Sequence, residues 1–380
     1  MAPKKKGKAR PASRGGRLGR VLKRLVKAAF LAVLLAGAWS AGFIAVKCYS
    51  RNSGSPSDAV ERNPAAAPGY AREEVSTYLT LPEWYIVYNT DEYARALAAR
   101  PPSAFPYVGS VRQYWRYYGA ACAATRTGYP FSTGNHLMLG IIGSSFSIEY
   151  VLKGLYEKTV GRATEWIAGH DTPEDAFARR TAAEYGTFMH TVPWYEFPFA
   201  SRIAALWRET PARGPHLVRK WERRFALTAE YGAKAGYGWL IGLGSQAAYG
   251  EENLRIQARI ENERPDIYSD GVVKRLRDGG GGATIVSLPR YEAFTGRMIT
   301  LLASDVRFLD IAGNDEILIT VLVPQGWTSR PAEAAVLLHE PLLTDAAVER
   351  VGLKVPVRML HLVVPRITAG GGRIEHFYDY

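Results

Sequence analysis

The chain has only two cysteines in 380 residues, Cys48 and Cys122. So few exclude a disulfide framework or a cysteine-rich metal cluster, and their distance apart in sequence gives no reason to pair them. The seven histidines fall at positions 136, 170, 190, 216, 339, 361 and 376, with no metal-ligand spacing among them. His339-Glu340 lacks the second histidine that a zinc protease helix needs, and there is no Walker-type phosphate loop. Acidic residues are missing from the first 27 positions, and charge of either sign is missing from Ala28 to Val46.

These absences locate the charge that is present. The formal net charge is +12, and eleven of the 48 basic residues lie in positions 1–27, leaving 37 against 36 acids in the rest. The body is electrically balanced, so the basic pI does not describe a nucleic-acid-binding face. The uncharged run AAFLAVLLAGAWSAGFIAV at 28–46 is close to the roughly 20 residues that carry a helix across a bilayer core. A cationic flank before such a run holds that side in the cytoplasm and attracts anionic lipid headgroups. Ala36-Gly37-Ala38 has the small-x-small form of a signal cleavage site, but eight further apolar residues follow it, which suits an uncleaved anchor. Lys47 before Cys48 stands where lipid attachment needs a small residue.

The expected fold class is a membrane-anchored α+β protein: an N-terminal transmembrane helix, a mainly helical middle domain, and a C-terminal, largely antiparallel sheet with one covering helix. The expected divisions are a basic cytoplasmic tail (1–27), the span (28–46), a Ser/Gly/Pro/Ala-rich flexible linker (47–72), a helical membrane-proximal domain (73–250) and an α+β domain (251–380). Asn89-x-x-Glu92 and Ser110-x-x-Gln113 read as capping boxes opening two helices. Val111, Tyr114, Trp115, Tyr118 and Cys122 form one apolar helix face. Thr172-Pro173-Glu174-Asp175 starts a helix running to about His190. Pro193 and Pro198 bracket a bend, and a long helix begins after Pro215. Near Glu251 the period changes: Leu254, Ile256, Ala258 and Ile260 alternate with polar residues, as in a strand. The glycines at 279–282 read as a turn. Further strands are expected at 283–288, 306–311, 316–323, 335–339, 355–364 and 373–380, and a helix at 290–303.

Two more stretches are short of charge. Leu137–Leu155 carries Leu137, Ile141, Ile148, Leu152 and Leu155 on one helical face and Gly140, Gly143, Ser144, Ser147 and Gly154 on the other. Ala235–Gly250 contains Gly238-x-x-x-Gly242 and Gly244-x-x-x-Ala248. Small residues four apart let helices approach closely, so Gly140, Ser144, Gly238 and Gly242 are expected to pack the two stretches on each other. If 136–152 and 235–250 also spanned, the protein would be a small transporter component with three spans.

The chemical motifs fail on context. Gly242-Leu243-Gly244-Ser245-Gln246-Ala247 resembles a dinucleotide fingerprint but follows a helical pattern rather than a strand. Gly143-Ser144-Ser145-Phe146-Ser147 lacks the final glycine and the strand of a nucleophile elbow. What remains is a polar-aromatic concentration of Trp84, Tyr85, His136, Trp194, Tyr195 and Glu196, expected at the membrane interface or around a pocket, with Glu149, Glu184 and His190 as candidate catalytic groups. No cofactor or metal is expected. The expected partners are membrane lipids, through the tail, and a protein or ligand, but not nucleic acid. This describes a binding or assembly protein of the cell envelope at the inner membrane, with most of the chain outside the cytoplasm. An envelope enzyme acting on a membrane-proximal substrate is the alternative.

Overall fold

The computed structural model describes residues 14–49, 70–126, 128–245 and 254–380. The first helix, α1 (Arg14–Phe43), continues as a π turn over Ile44–Cys48. Among the described residues it is the only helix long and apolar enough to cross a membrane, over Phe30–Cys48. Its less exposed positions, Ala32, Ala36, Ser40, Ile44 and Cys48, recur every four residues and face protein. At its end Cys48 is joined to Cys122 by a disulfide, with the Cα atoms 4.6 Å apart. The expectation of unpaired cysteines is therefore corrected. The chain between them, a sequence separation of 74, folds so that α4 (Tyr107–Thr125) ends beside the end of α1. Most of the expected linker, 50–69, lies outside the described residues. Its last residues belong to the folded body: buried Tyr70 bonds to Asp310, and the Arg72 N–H donates to the Ala312 carbonyl (3.0 Å).

The helices α2 (Val75–Leu79), α3 (Leu81–Ala99), α4, α5 (Thr133–Tyr156), α6 (Arg162–Ala168), α7 (Pro173–Met189), α8 (Phe199–Glu209) and α9 (Leu217–Ser245) follow. The Thr172 start signal is realised as a reciprocal capping box with Asp175. The other two expected capping boxes are not caps. Asn89 and Glu92 lie inside α3, Ser110 and Gln113 inside α4, and all four are buried. They bond to neighbouring elements, Glu92 to Arg350 (2.9 Å). The Asn89 amide donates to the Ser110 hydroxyl (3.1 Å), the Tyr85 hydroxyl to the Ser110 carbonyl (2.9 Å), and the Gln113 amide to the Pro341 carbonyl (2.7 Å). Prolines set these helix starts instead: Pro82 in the first turn of α3 and Pro106 before α4.

Two four-stranded antiparallel sheets make up the C-terminal part, correcting the expected single sheet. One has the order β2 (Lys274–Gly280), β3 (Ala283–Pro289), β1 (Arg255–Glu261), β4 (Arg307–Ile311). The other has the order β6 (Ala335–Pro341), β7 (Val348–Pro356), β5 (Glu316–Pro324), β8 (Arg373–Phe377). β1 buries Ile256, Ala258 and Ile260 in strict alternation, as the pattern required. The β2–β3 turn needs positive φ at Gly280, Gly281 and Gly282 (78°, 65°, 85°), which glycine adopts without strain. Residues 355–364 are not one strand. β7 ends at Pro356 and α11 (Leu360–Ala369) follows, so two helices, α10 (Glu292–Ala303) and α11, pack here rather than one. Both sheets and both helices share one core, including Ile256, Phe308, Ile319, Leu353, Phe294 and Val363.

β5 joins this core to the helices. Its odd residues, Ile317, Ile319 and Val321, face the sheet core, while Leu318 lies in a second, aromatic-rich core with Tyr85, Tyr114, Tyr117 and Tyr118. Across the same seam the buried Arg350 guanidinium binds Glu375 through two nitrogens (2.6 and 2.7 Å) and Glu92 of α3 (2.9 Å). A charge so deeply buried is tolerable only when paired in this way.

Candidate functional site

The point of chemical interest lies where α3, α7, α10 and β8 meet. α7 ends on His190, at a helix C-terminus, where the peptide dipoles favour a cation. Its Nε2 lies 2.7 Å from the Asp91 carboxylate in the middle of α3, and its Nδ1 lies 3.3 Å from Glu292 in the first turn of α10. α7 can come this close because residue 186 is glycine: a Cβ there would stand 2.8 Å from Asp91 Oδ1. Hydrogen bonds to Asp91 and then Glu292 outweigh partial burial and push the His190 pKa up to about 10, so the imidazole is a cation at neutral pH.

His376 on β8 is the second histidine of the site and is fully buried, its ring 3.7 Å from that of Trp84. The Thr295 hydroxyl accepts from the Phe377 N–H (3.0 Å) and lies 3.0 Å from His376 Nδ1. His376 Nε2 is buried without a partner. Burial and the nearby His190 charge push the His376 pKa well down, so this ring is neutral. Beside Glu292, Tyr291 is held at φ 61°, ψ −138°, outside the regions open to a residue with a Cβ. Strain of this kind persists only where the surroundings enforce it, and it gathers at functional sites. Two carboxylates, Asp91 and Glu292, thus face one imidazolium at His190, beside the rings of Trp84 and Tyr88.

The other predicted residues go elsewhere. Glu149, Glu184 and His190 have separate partners: Glu149 pairs with Lys234 (2.9 Å) and Glu184 with Arg202 (3.0 Å). Glu149 does line a cavity of about 70 Å³, walled by Tyr93, Phe146, Tyr150, Tyr185, Phe199 and Tyr231. Its charges are closed on themselves: Lys234 also meets Glu230 (3.3 Å), and Lys153 meets Glu230 (2.8 Å). Trp84 enters the histidine site, but its neighbour Tyr85 turns into the buried α3–α4 network. His136 accepts from Tyr118 or donates to it (2.9 Å) and stacks on Phe131. Trp194 packs on Tyr237, Tyr195 lies against Gly238, and Glu196 is exposed.

Gly140 and Ser144 are packing residues, but their partner is α1. The Ser40 hydroxyl donates to the Gly140 carbonyl (3.1 Å) and lies 2.6 Å from the Ser144 hydroxyl, which bonds the Ala36 carbonyl (3.2 Å). The expected pairing of small faces between α5 and α9 is thereby corrected. Those helices meet through the Glu149–Lys234 and Lys153–Glu230 pairs and a Ser145–Tyr237 contact (3.2 Å). A Cβ at Gly242 would touch nothing within 4 Å, and Ala248 lies outside the described residues. Among the described residues, one set of three potential metal ligands lies close together, Cys48, Cys122 and His136. Its two sulfurs are spent in the disulfide.

Asp91, Glu292, Thr295 and His376 were not singled out from the sequence. Each stands in an ordinary helix or strand context, and only the fold makes them neighbours of His190. No protein family, curated protein or solved structure matches the chain.

Proposed function

We propose that this is a membrane-anchored cell-envelope protein. Its body is held outside the cytoplasm and binds an amine, free or on a partner, at the partly exposed carboxylates of Asp91 and Glu292 beside His190 and Trp84. The observation that carries the placement is the Cys48–Cys122 disulfide, formed at the very end of the apolar helix. Disulfides persist in oxidising compartments, and the basic residues before the helix hold the other flank in the cytoplasm. The ligand chemistry follows from the cluster: two carboxylates against one imidazolium, beside the aromatic rings of Trp84 and Tyr88.

The placement is tested with one added cysteine at exposed Ala183, because the native pair is already bonded and silent. An impermeant thiol reagent should label Ala183→Cys on intact cells and leave the parent chain unlabelled until it is reduced. Labelling of Ala183→Cys only in broken cells would sink the placement. The ligand chemistry is tested by calorimetry with phenethylamine and phenylpropionate. The amine should bind, the acid should not, and Glu292→Gln should weaken the amine about tenfold, near 1.4 kcal/mol. Equal binding of the two, or binding of neither, would dismiss an amine site.

A second reading, an acid–base enzyme acting near the membrane, is favoured by one observation. Two neighbouring imidazoles are driven into opposite protonation states, the arrangement that assigns an acid and a base.

A further inference from the structure

Four charged side chains meet at the cavity between α3, α5, α7, α8 and α9. Glu230 of α9 accepts from Lys153 of α5 (2.8 Å) and lies 3.3 Å from Lys234, whose other partner is Glu149 of α5 (2.9 Å). The four are not equally enclosed. The side chains of Lys153, Glu230 and Lys234 are 14%, 21% and 14% exposed, and that of Glu149 is 38% exposed. Both lysines also lie over rings, Lys153 over Tyr93 (4.3 Å) and Lys234 over Tyr185 (5.0 Å). Against burial, the two ammonium groups hold the Glu230 carboxyl down to about 2, so it is an anion. The enclosed part of the set is therefore two cations and one anion. Glu149, the most exposed member, supplies the missing charge.

The room beside these charges is small and largely apolar. Ala178 and Ala182 of α7 leave about 70 Å³ open against Ile86, Leu97, Phe146 and Leu227. A cavity of roughly 150 Å³ admits benzene, so one of half that size takes a chain of about three carbons and no ring.

We infer that this cavity binds a short aliphatic monocarboxylate, and that Glu149 occupies the place of its carboxylate when the site is empty. The ligand head pairs with Lys234, its alkyl tail fills the apolar room, and Glu149 turns out to water. One carboxylate replaces another, so the exchange leaves no buried charge unpaired. Burying the tail adds a hydrophobic gain that Glu149 does not make. The site is separate from the His190 cluster. Its size excludes the phenyl ring of phenylpropionate, so it does not respond in the test of the amine.

The experiment is calorimetry on the full chain in detergent and chloride-free buffer. Butyrate is the probe, and formate supplies the same head without a tail. Glu149→Gln removes the internal occupant and should bind butyrate about tenfold more tightly than the parent does. Formate should bind that variant about tenfold more weakly than butyrate. Adding Lys234→Met, which leaves Lys153 and Glu230 as a closed pair, should abolish butyrate binding. Equal affinity in the parent and in Glu149→Gln would overturn the displacement. Formate binding as tightly as butyrate would remove the tail from the cavity. Binding that survives Lys234→Met would put the ligand elsewhere. No binding to a Glu149→Gln chain that melts like the parent would sink the site. A Glu149→Gln chain without a cooperative melt would overturn it too, because the fold cannot depend on a side chain that a ligand displaces.

Discussion

His190 is the residue on which the cluster turns, and its energetics have a sign that can be checked. An imidazole with a folded pKa of about 10, against about 6.5 when unfolded, contributes stability that is full below pH 6.5 and lost as pH rises through 10. Glu83 adds a slope of the same sign at lower pH. Burial pushes its carboxyl up to about 7, so its contribution falls between about pH 4.5 and 7. Thermal midpoints of the full chain in detergent should therefore drop for His190→Gln mainly at pH 6.5 and below, and the gap from the parent should close toward pH 10. A gap that widens with pH would show that Asp91 and Glu292 do not hold an imidazolium.

At the scale of elements, the glycines of α5 and α9 have different duties although their sequence spacing is similar. A Cβ at Gly154 would stand 2.7 Å from Tyr107 Cβ, which sits on the α4 backbone and cannot swing aside. Gly154→Ala should cost about 1–3 kcal/mol through overpacking. Gly242 has open space around it, so Gly242→Ala should be neutral or stabilise by up to about 1 kcal/mol through helix propensity. Urea unfolding of the two variants against the parent compares them directly. Equal effects would mean that α5 does not press on α4 as described. The same comparison explains why small-residue spacing named the right surface of α5 and the wrong partner. Gly140 and Ser144 show that something approaches closely, and several helices in the chain could have supplied it.

For the molecule as a whole, the question is how far the strand part stands alone. Its main core is built entirely from residues after 255, with both sheets and two helices contributing. Yet Leu318, Leu338 and Tyr378 are buried in the aromatic core of the helices, and Arg350 shares its charge with Glu92. A fragment covering 254–380 should fold with a cooperative melt seen by circular dichroism, at a midpoint below that of the full chain. Glu92→Gln in the full chain should reproduce part of that deficit in stability, since Arg350 then loses one of its two buried carboxylates. A fragment with no transition would mean that the two cores form one folding unit.

The sequence alone determined whatever depends on neighbours in the chain. The apolar length of α1, the cap at Thr172 and the alternation in β1 are local patterns with local causes, and each appears where it was read. Local patterns with two physical uses were misread. Asn, Ser and Gln cap helices, but they also bond between packed elements, and only the packing of α3 on α4 and of α4 on β6 selects that use. The apolar run at 355–364 suits a strand or a buried helix, and Pro356 divides it between the two. Tertiary structure alone decided the partners. Cys48 finds Cys122 across 74 residues, and His190 finds Asp91 across 99. α5 finds α1 across about a hundred residues, with Ser40 on Gly140. Such contacts follow from how whole elements bury their faces together, a choice made by the sum of the packing and not inscribed at any one position.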